Sequence, residues 1–130
     1  MSSKQSVLIV DRSDDSRAVL RMALQRRGLE IFEASRYEAA RQWAQGHPVD
    51  LVVVDLERQG LDIENSSESF ERQQDWGEVP LVLLGSARRK NGKDNQTDAG
   101  QFIAKPYRYG PLIRRIEELL ETSQQADRAA

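Results

Sequence analysis

Five short apolar runs divide the chain, and each is typical of a buried β-strand. Most of them are continuously apolar instead of alternating with polar residues, as in strands that helices cover on both faces. The run at 51–54 is the most β-like, because its β-branched valines suit a pleated surface. The five runs are VLIV (7–10), LEIFEA (29–34), LVVV (51–54), PLVLL (80–84) and QFIA (101–104).

Amphipathic helical patterns lie between these runs and after the last one. The first begins with a cap at Ser13 or Asp14 and extends to about Arg27. A second covers residues 36–45, and the last begins at Pro111, a residue favoured at helix starts. The side chains predicted to face the core are Val19, Leu20, Ala23 and Leu24 in the first helix, Ala39, Ala40, Trp43 and Ala44 in the second, and Leu112, Ile116, Leu119 and Leu120 in the last.

The alternation of strands and helices predicts a parallel α/β sheet with helices on both faces. In that architecture, ligands bind beyond the carboxyl ends of the strands. Asp11 and Asp55 directly follow their strands, and Ser86 and Lys105 stand at the ends of the two later strands. We therefore expect four polar side chains to converge at one edge of the sheet, which is the candidate functional site.

Two internal segments and both chain ends depart from this pattern. Residues 57–78 contain few large apolar side chains, so we expect a short, irregular third helix there. Residues 85–100 contain none, so we expect a mobile loop in place of a regular fourth helix. The sequence thus predicts an N-terminal extension at 1–5, one domain at 6–121, and a flexible tail or linker at 122–130.

The composition excludes several classes of function. The 130 residues include no cysteine and one histidine, His47, which excludes disulfides, thiolate chemistry and a histidine metal site. A net charge of −2 gives no basis for general nucleic-acid binding, and no apolar run is long enough to cross a membrane. The N-terminal MSSKQS has no hydrophobic signal core, so we expect a cytoplasmic protein.

Three stretches resemble the receiver domain of bacterial two-component response regulators, the CheY-like family. VLIVDRSDDSRAVLRMALQRRGLEIFEAS resembles its first strand, helix and second strand, PVDLVVVDL its acceptor strand, and FIAKPY its closing Lys-Pro signature. The resemblance covers about residues 6–121 and is weakest at 57–78 and 87–100. It implies a flavodoxin-like, doubly wound, five-stranded parallel sheet in the order 2-1-3-4-5. It also implies a signalling role and no enzymatic one.

By this resemblance, six residues occupy positions of the family's phosphorylation switch. A carboxylate can attack a phosphoryl group only when cations and hydrogen-bond donors neutralise the transferred charge, and Lys105 would supply one such cation. The six are Asp55 as the phosphoacceptor, Asp11 in the acidic pocket, Lys105 and Ser86 as phosphate-contacting residues, Phe102 as the switch aromatic, and Pro106 as a cis-proline candidate.

Arg12 departs from the family pattern in the acidic pocket. The family usually has two adjacent acids after the first strand, the second of which binds Mg²⁺, whereas here Asp11 is followed by Arg12. The two pocket aspartates, Lys105 and Arg12 sum to a charge of about zero, and Mg²⁺ needs carboxylate anchors. We therefore doubt metal binding by Asp11 and Asp55. Glu57, beside the acceptor, is a second change to the pocket.

Two accounts of Arg12 remain open. Its guanidinium either pairs with Asp55 and replaces the metal, or points to solvent and merely weakens the pocket. The leading interpretation is a receiver that accepts a phosphoryl group on Asp55 weakly or conditionally and signals through protein–protein contacts. The alternative is a phosphorylation-independent pseudo-receiver, a docking module in which Arg12 replaces the metal.

The expected partner surface consists of Phe102, Tyr107, Tyr109 and the last helix, because residues 87–100 are polar and irregular. The expected partners are a histidine kinase or phosphotransfer protein, and a downstream output domain or protein. A second copy of the chain could pair through the last helix. We expect this domain to bind neither nucleic acid nor a membrane.

Overall fold

The computed structural model describes the backbone of residues 4–56, 76–85, 96–97, 100–105 and 107–129. Side chains are described throughout these ranges except at 96–97, 100–102 and 123–129. The predicted third helix at 57–78 therefore falls largely outside the described residues, as does most of the predicted loop at 85–100.

Six strands form one sheet, and five of them are parallel. The strands are β1 Ser6–Val10, β2 Glu30–Ala34, β3 Leu51–Asp55, β4 Leu81–Gly85, β5 Gln96–Thr97 and β6 Gly100–Ala104. The parallel strands lie in the order β2-β1-β3-β4-β6, which confirms the predicted order 2-1-3-4-5. The two-residue β5 pairs antiparallel with β6 at the edge, where the sequence predicted only loop.

Helices cover both faces of the sheet, as predicted. They are α1 Asp14–Gln25, α2 Tyr37–Ala44 and α3 Tyr109–Ala129. Every residue of β1, β3 and β4 is buried, which explains their continuous apolar sequences. Alternate strand residues enter two separate cores, one packed against α2 and the other against α1 and α3. The five-stranded layer is thus held from both sides, and its strand ends are fixed.

Two residues predicted to face the core point outward instead. Val19 of α1 is 48% exposed, whereas Leu20 is buried. Ala39 of α2 is likewise exposed, and its neighbour Ala40 is buried. Successive helical residues lie about 100° apart, and in each of these two pairs only the second residue points at the sheet.

The last helix is longer than the sequence suggested. It runs to Ala129, so residues 122–129 are helical where a flexible tail was predicted. Its N-terminal half is anchored by the buried Leu112, Ile116 and Leu120, and once such a nucleus exists each further residue extends the helix at little cost. Whether this segment serves as a linker stays a prediction. Within the described ranges, none of the helices has the length and apolar content that spanning a bilayer requires.

Candidate functional site

Three of the predicted site residues meet at the carboxyl edge of the sheet. Asp11 directly follows β1, Asp55 is the last residue of β3, and Lys105 directly follows β6. Both aspartates are buried, with 7% of Asp11 and 4% of Asp55 exposed. Because buried carboxylates are costly unless cations or hydrogen bonds compensate them, their placement here indicates a functional site.

Lys105 forms an ion pair with Asp55 across the end of β4. Its Nζ lies 2.7 Å from Asp55 Oδ2. The backbone fixes both partners, since the Lys105 N–H donates to the Gly85 carbonyl at 2.9 Å and the Leu56 N–H donates to the Leu84 carbonyl at 2.8 Å. This charge-assisted contact places a cation directly on the candidate phosphoacceptor.

Asp11 is held through both its backbone and its side chain. Its N–H donates to the Ala34 carbonyl at 3.0 Å, and its Oδ1 accepts the Ser13 N–H at 2.8 Å. Burial raises the pKa of Asp11 above its usual value, and the nearby Asp55 carboxylate acts in the same direction. The Ser13 hydrogen bond and the charge of Lys105 oppose this shift only in part.

Replacing Asp11 with Asn should raise the free energy of unfolding by about 1 kcal/mol at neutral pH. The pKa of Asp11 is higher in the folded protein than in the unfolded chain. Protonated Asp11 therefore stabilises the fold at pH values below the pKa of the unfolded chain, and this stabilisation is lost as the pH rises through the pKa of the folded protein. The amide oxygen of Asn can still accept the Ser13 N–H without a buried charge. Urea unfolding at neutral and at acidic pH should show the gain only at neutral pH.

Asp15→Asn is the matched control, because Asp15 is an exposed acid in the first turn of α1. An acid there interacts favourably with the helix dipole, so this change should be neutral or slightly destabilising. A gain in Asp11→Asn that persists in acid would contradict the explanation from a buried charge.

Arg12 and Asp14 occupy the turn between β1 and the first residue of α1. Arg12 is exposed, and its role in the pocket stays a prediction. Asp14 Oδ1 lies 2.5 Å from Arg17 Nη2. Ser13 caps α1 by accepting the Ser16 N–H at 3.2 Å, which confirms the first of the two predicted caps. Asp14 is thus paired with a residue of its own helix.

The described donors do not complete a magnesium site. Among the residues that the structure describes, no group of three or more acidic, histidine or cysteine side chains is placed to hold a metal. Asp11 and Asp55 provide two carboxylates, one of which contacts Lys105 Nζ. Mg²⁺ prefers an octahedral shell of oxygen ligands, so this set does not fit it by itself.

Four other predicted site residues have no described side chain. Glu57, Ser86 and Pro106 lie outside the described residues, so their contacts and the isomer of the Lys-Pro bond stay predictions. The backbone of Phe102 lies within β6, and the position of its ring is not described.

The structure adds two residues to the site that sequence reasoning did not place there. Tyr107 was predicted only as a partner-surface residue. Its burial, the adjacent Tyr109, and the charges of Asp55 and Asp11 raise the pKa of its hydroxyl, which links Tyr107 electrostatically to the acidic site. Arg17 contacts the backbone carbonyl of Asp11. Its spacing from Asp11 was visible in the sequence, but its acceptors depend on the sheet.

Comparisons with known proteins agree with this geometry. A family model described as "Response regulator receiver domain" matches residues 7–117. The KDP operon transcriptional regulatory protein KdpE of Escherichia coli is 30% identical over 117 residues, which are 88% of this chain and 51% of that protein. The chain thus spans about half the length of the curated relatives it matches.

Solved structures show the same fold. A response regulator receiver modulated diguanylate cyclase from Pelobacter carbinolicus is similar with a TM-score of 0.73 and 27% identity, over 95% of this chain and 97% of that one. The chemotaxis protein CheY4 of Vibrio cholerae gives a TM-score of 0.70 at 20% identity, over 90% and 99% of the two chains.

Receiver domains in general are signalling domains of two-component systems that interact with histidine kinases or phosphotransfer proteins and with output domains. Such domains typically bind Mg²⁺ in their acidic pocket. From its match to the family model, its relatives and its flavodoxin-like fold, the chain belongs to the response regulator receiver domain family.

Proposed function

We propose that the chain accepts a phosphoryl group on Asp55, weakly or under restricted conditions, and signals through protein–protein contacts. The observation that carries this proposal is the 2.7 Å ion pair between Lys105 Nζ and Asp55 Oδ2, with Asp11 buried beside it. A buried carboxylate with a fixed cation at the end of a parallel strand is an arrangement suited to phosphoryl transfer.

The reaction would form one bond and break one bond at phosphorus. An Asp55 oxygen attacks the phosphorus of the donor, and the bond from phosphorus to the donor's leaving atom breaks as the acyl phosphate forms. Lys105 Nζ, now on Asp55 Oδ2, would pair with a phosphoryl oxygen and neutralise part of the transferred charge. Asp11 is a second buried carboxylate whose charge opposes an incoming anion, so the transfer depends on that carboxylate being held on the Ser13 N–H, which its Oδ1 accepts at 2.8 Å.

The alternative is a pseudo-receiver that docks without phosphorylation. One observation favours it: Lys105 Nζ lies 2.7 Å from Asp55 Oδ2 and already neutralises the charge of that carboxylate. Arg12 adds a further positive charge in the adjoining turn, where the family usually has a metal-binding acid. In this form the switch would be fixed in one state, and partner binding alone would carry the signal.

We propose that the partner surface lies along the N-terminal half of α3 and the end of β6. The rings of Tyr107 and Tyr109 meet edge to face at 5.5 Å between their centroids. Tyr107 lines a groove together with Ile103 and Leu112, and Arg114 and Arg115 border it. An apolar floor with aromatic and arginine side chains suits an output domain or a second copy of the chain.

Intact native mass after incubation with acetyl phosphate tests the phosphorylation proposal. We expect a single phosphoryl adduct that grows slowly and is absent in Asp55→Asn. An adduct that persists in Asp55→Asn would assign the acceptor to another residue. The absence of any adduct, with and without Mg²⁺, would support the pseudo-receiver.

A further inference from the structure

The side chain of Arg17 connects three elements on the outer side of Asp11. It is only 15% exposed, although it extends from the first half of α1. Its Nη1 donates to the Asp11 carbonyl, its Nη2 to Asp14 Oδ1 at 2.5 Å, and its Nε to Glu33 Oε1 at 3.0 Å. These acceptors belong to the end of β1, the start of α1 and β2.

Glu33 accepts hydrogen bonds from two arginines of α1, Arg17 and Arg21. Arg21 Nη1 donates to Glu33 Oε2 at 2.9 Å, so both carboxylate oxygens are occupied by arginines of α1. Burial alone would raise the pKa of Glu33, but the hydrogen bonds from Arg21 and Arg17 lower it below the usual value. Glu33 therefore stays ionised and holds the Arg17 guanidinium in place.

The contact from Arg17 is the second hydrogen bond that restrains the backbone of Asp11. The Asp11 N–H is bonded to the Ala34 carbonyl, and the Asp11 carbonyl accepts from Arg17. With both peptide groups fixed, the carboxylate is held where its Oδ1 meets the Ser13 N–H. A functional side chain held by such a surrounding shell keeps the geometry that its chemistry requires.

We propose that Arg17 is a positioning residue for the acidic site: it fixes the backbone that carries Asp11 and keeps Asp14 on α1, outside the pocket. The proposal rests on the function proposed above for Asp55, which Asp11 adjoins. Arg17 has no described contact with Asp55 or Lys105, so its effect on the site is transmitted through Asp11.

Arg17→Met and Arg21→Met form a matched pair of test variants. Both remove one arginine from Glu33 and one positive charge from α1, but only Arg17 contacts Asp11 and Asp14. We expect the Ser13 amide hydrogen to exchange with solvent about tenfold faster in Arg17→Met and to change less than twofold in Arg21→Met. Arg17→Lys keeps one donor and should restore part of the protection.

Acetyl phosphate labelling of Asp55 provides the second measurement. If the wild type is labelled, the rate should fall about tenfold in Arg17→Met and stay within twofold in Arg21→Met. If the wild type is not labelled, the proposed phosphorylation fails, and Ser13 exchange still decides the role of Arg17. Equal effects of Arg17→Met and Arg21→Met on Ser13 exchange would overturn the proposal, and Arg17→Lys applies the same test should Arg17→Met not fold.

Discussion

Arg12→Asp should bind Mg²⁺ about a hundredfold more tightly than the wild-type chain. The described acidic site contains two buried carboxylates and Lys105, and Arg12 stands in the exposed turn immediately after Asp11. An aspartate at position 12 would both remove a positive charge and add an oxygen ligand of the kind that Mg²⁺ prefers.

The expected size follows from Coulomb's law. The substitution changes the charge at position 12 by two units, and Mg²⁺ carries two. At roughly 5 Å in the dielectric of water, this difference amounts to about 3 kcal/mol, or about two powers of ten in the dissociation constant. The water value is appropriate because Arg12 is exposed, and low ionic strength would limit screening by salt.

Two further variants separate ligand chemistry from net charge. Arg12→Gln removes the positive charge without adding a carboxylate and should give about a tenfold gain. Arg26→Asp makes the same charge reversal at the far end of α1 and should leave the affinity nearly unchanged. Calorimetric titration with Mg²⁺ measures all three variants. Equal affinities in the wild type and Arg12→Asp would mean that Arg12 does not control the metal site.

Arg12→Asp also distinguishes the two proposed functions. A wild type that takes no phosphoryl group from acetyl phosphate, together with an Arg12→Asp variant that does so with Mg²⁺, would show that the arginine stands in place of the metal. A wild type that is labelled as readily as Arg12→Asp would instead make this a working receiver despite its altered pocket.

The core of the site could be predicted because it depends on strand ends alone. Asp11, Asp55 and Lys105 each follow an apolar run, and parallel strands bring their carboxyl ends to one edge. Continuous apolar runs also identify the strands buried on both faces. No knowledge of side-chain contacts was needed for this part, and the observed order of the parallel strands confirms it.

The contacts of Arg17 could not be predicted in this way. They require the register of β2 against β1, which pairs Ile9 with Glu33 and Val10 with Ala34. That register places Glu33 beside the end of β1, within reach of α1. Val19 was misplaced for a related reason: an apolar pattern gives the centre of a helical stripe but not its edges.

Lys105→Met should slow the labelling of Asp55 by acetyl phosphate about a hundredfold or more. Lys105 Nζ lies 2.7 Å from Asp55 Oδ2, in direct contact with the proposed acceptor. Without it, the transferred phosphoryl group would lose a fixed positive charge in a site where Asp11 already adds a buried negative one. Lys4→Met, at an exposed lysine before β1, is the control and should label at the wild-type rate.

The same substitution tests whether the ion pair is energetically coupled. Lys105→Met removes the cation from a carboxylate that is only 4% exposed, whereas the double variant with Asp55→Asn removes both charges together. Breaking one side of a buried pair costs more than replacing both sides, so the two changes should couple by about 1–2 kcal/mol in urea unfolding.

Lys105→Arg keeps the charge but changes its geometry, so it should retain most of the stability and only part of the labelling rate. If the changes in unfolding free energy of Lys105→Met and Asp55→Asn simply add up in the double variant, Lys105 and Asp55 act independently. The ion pair would then not be energetically coupled.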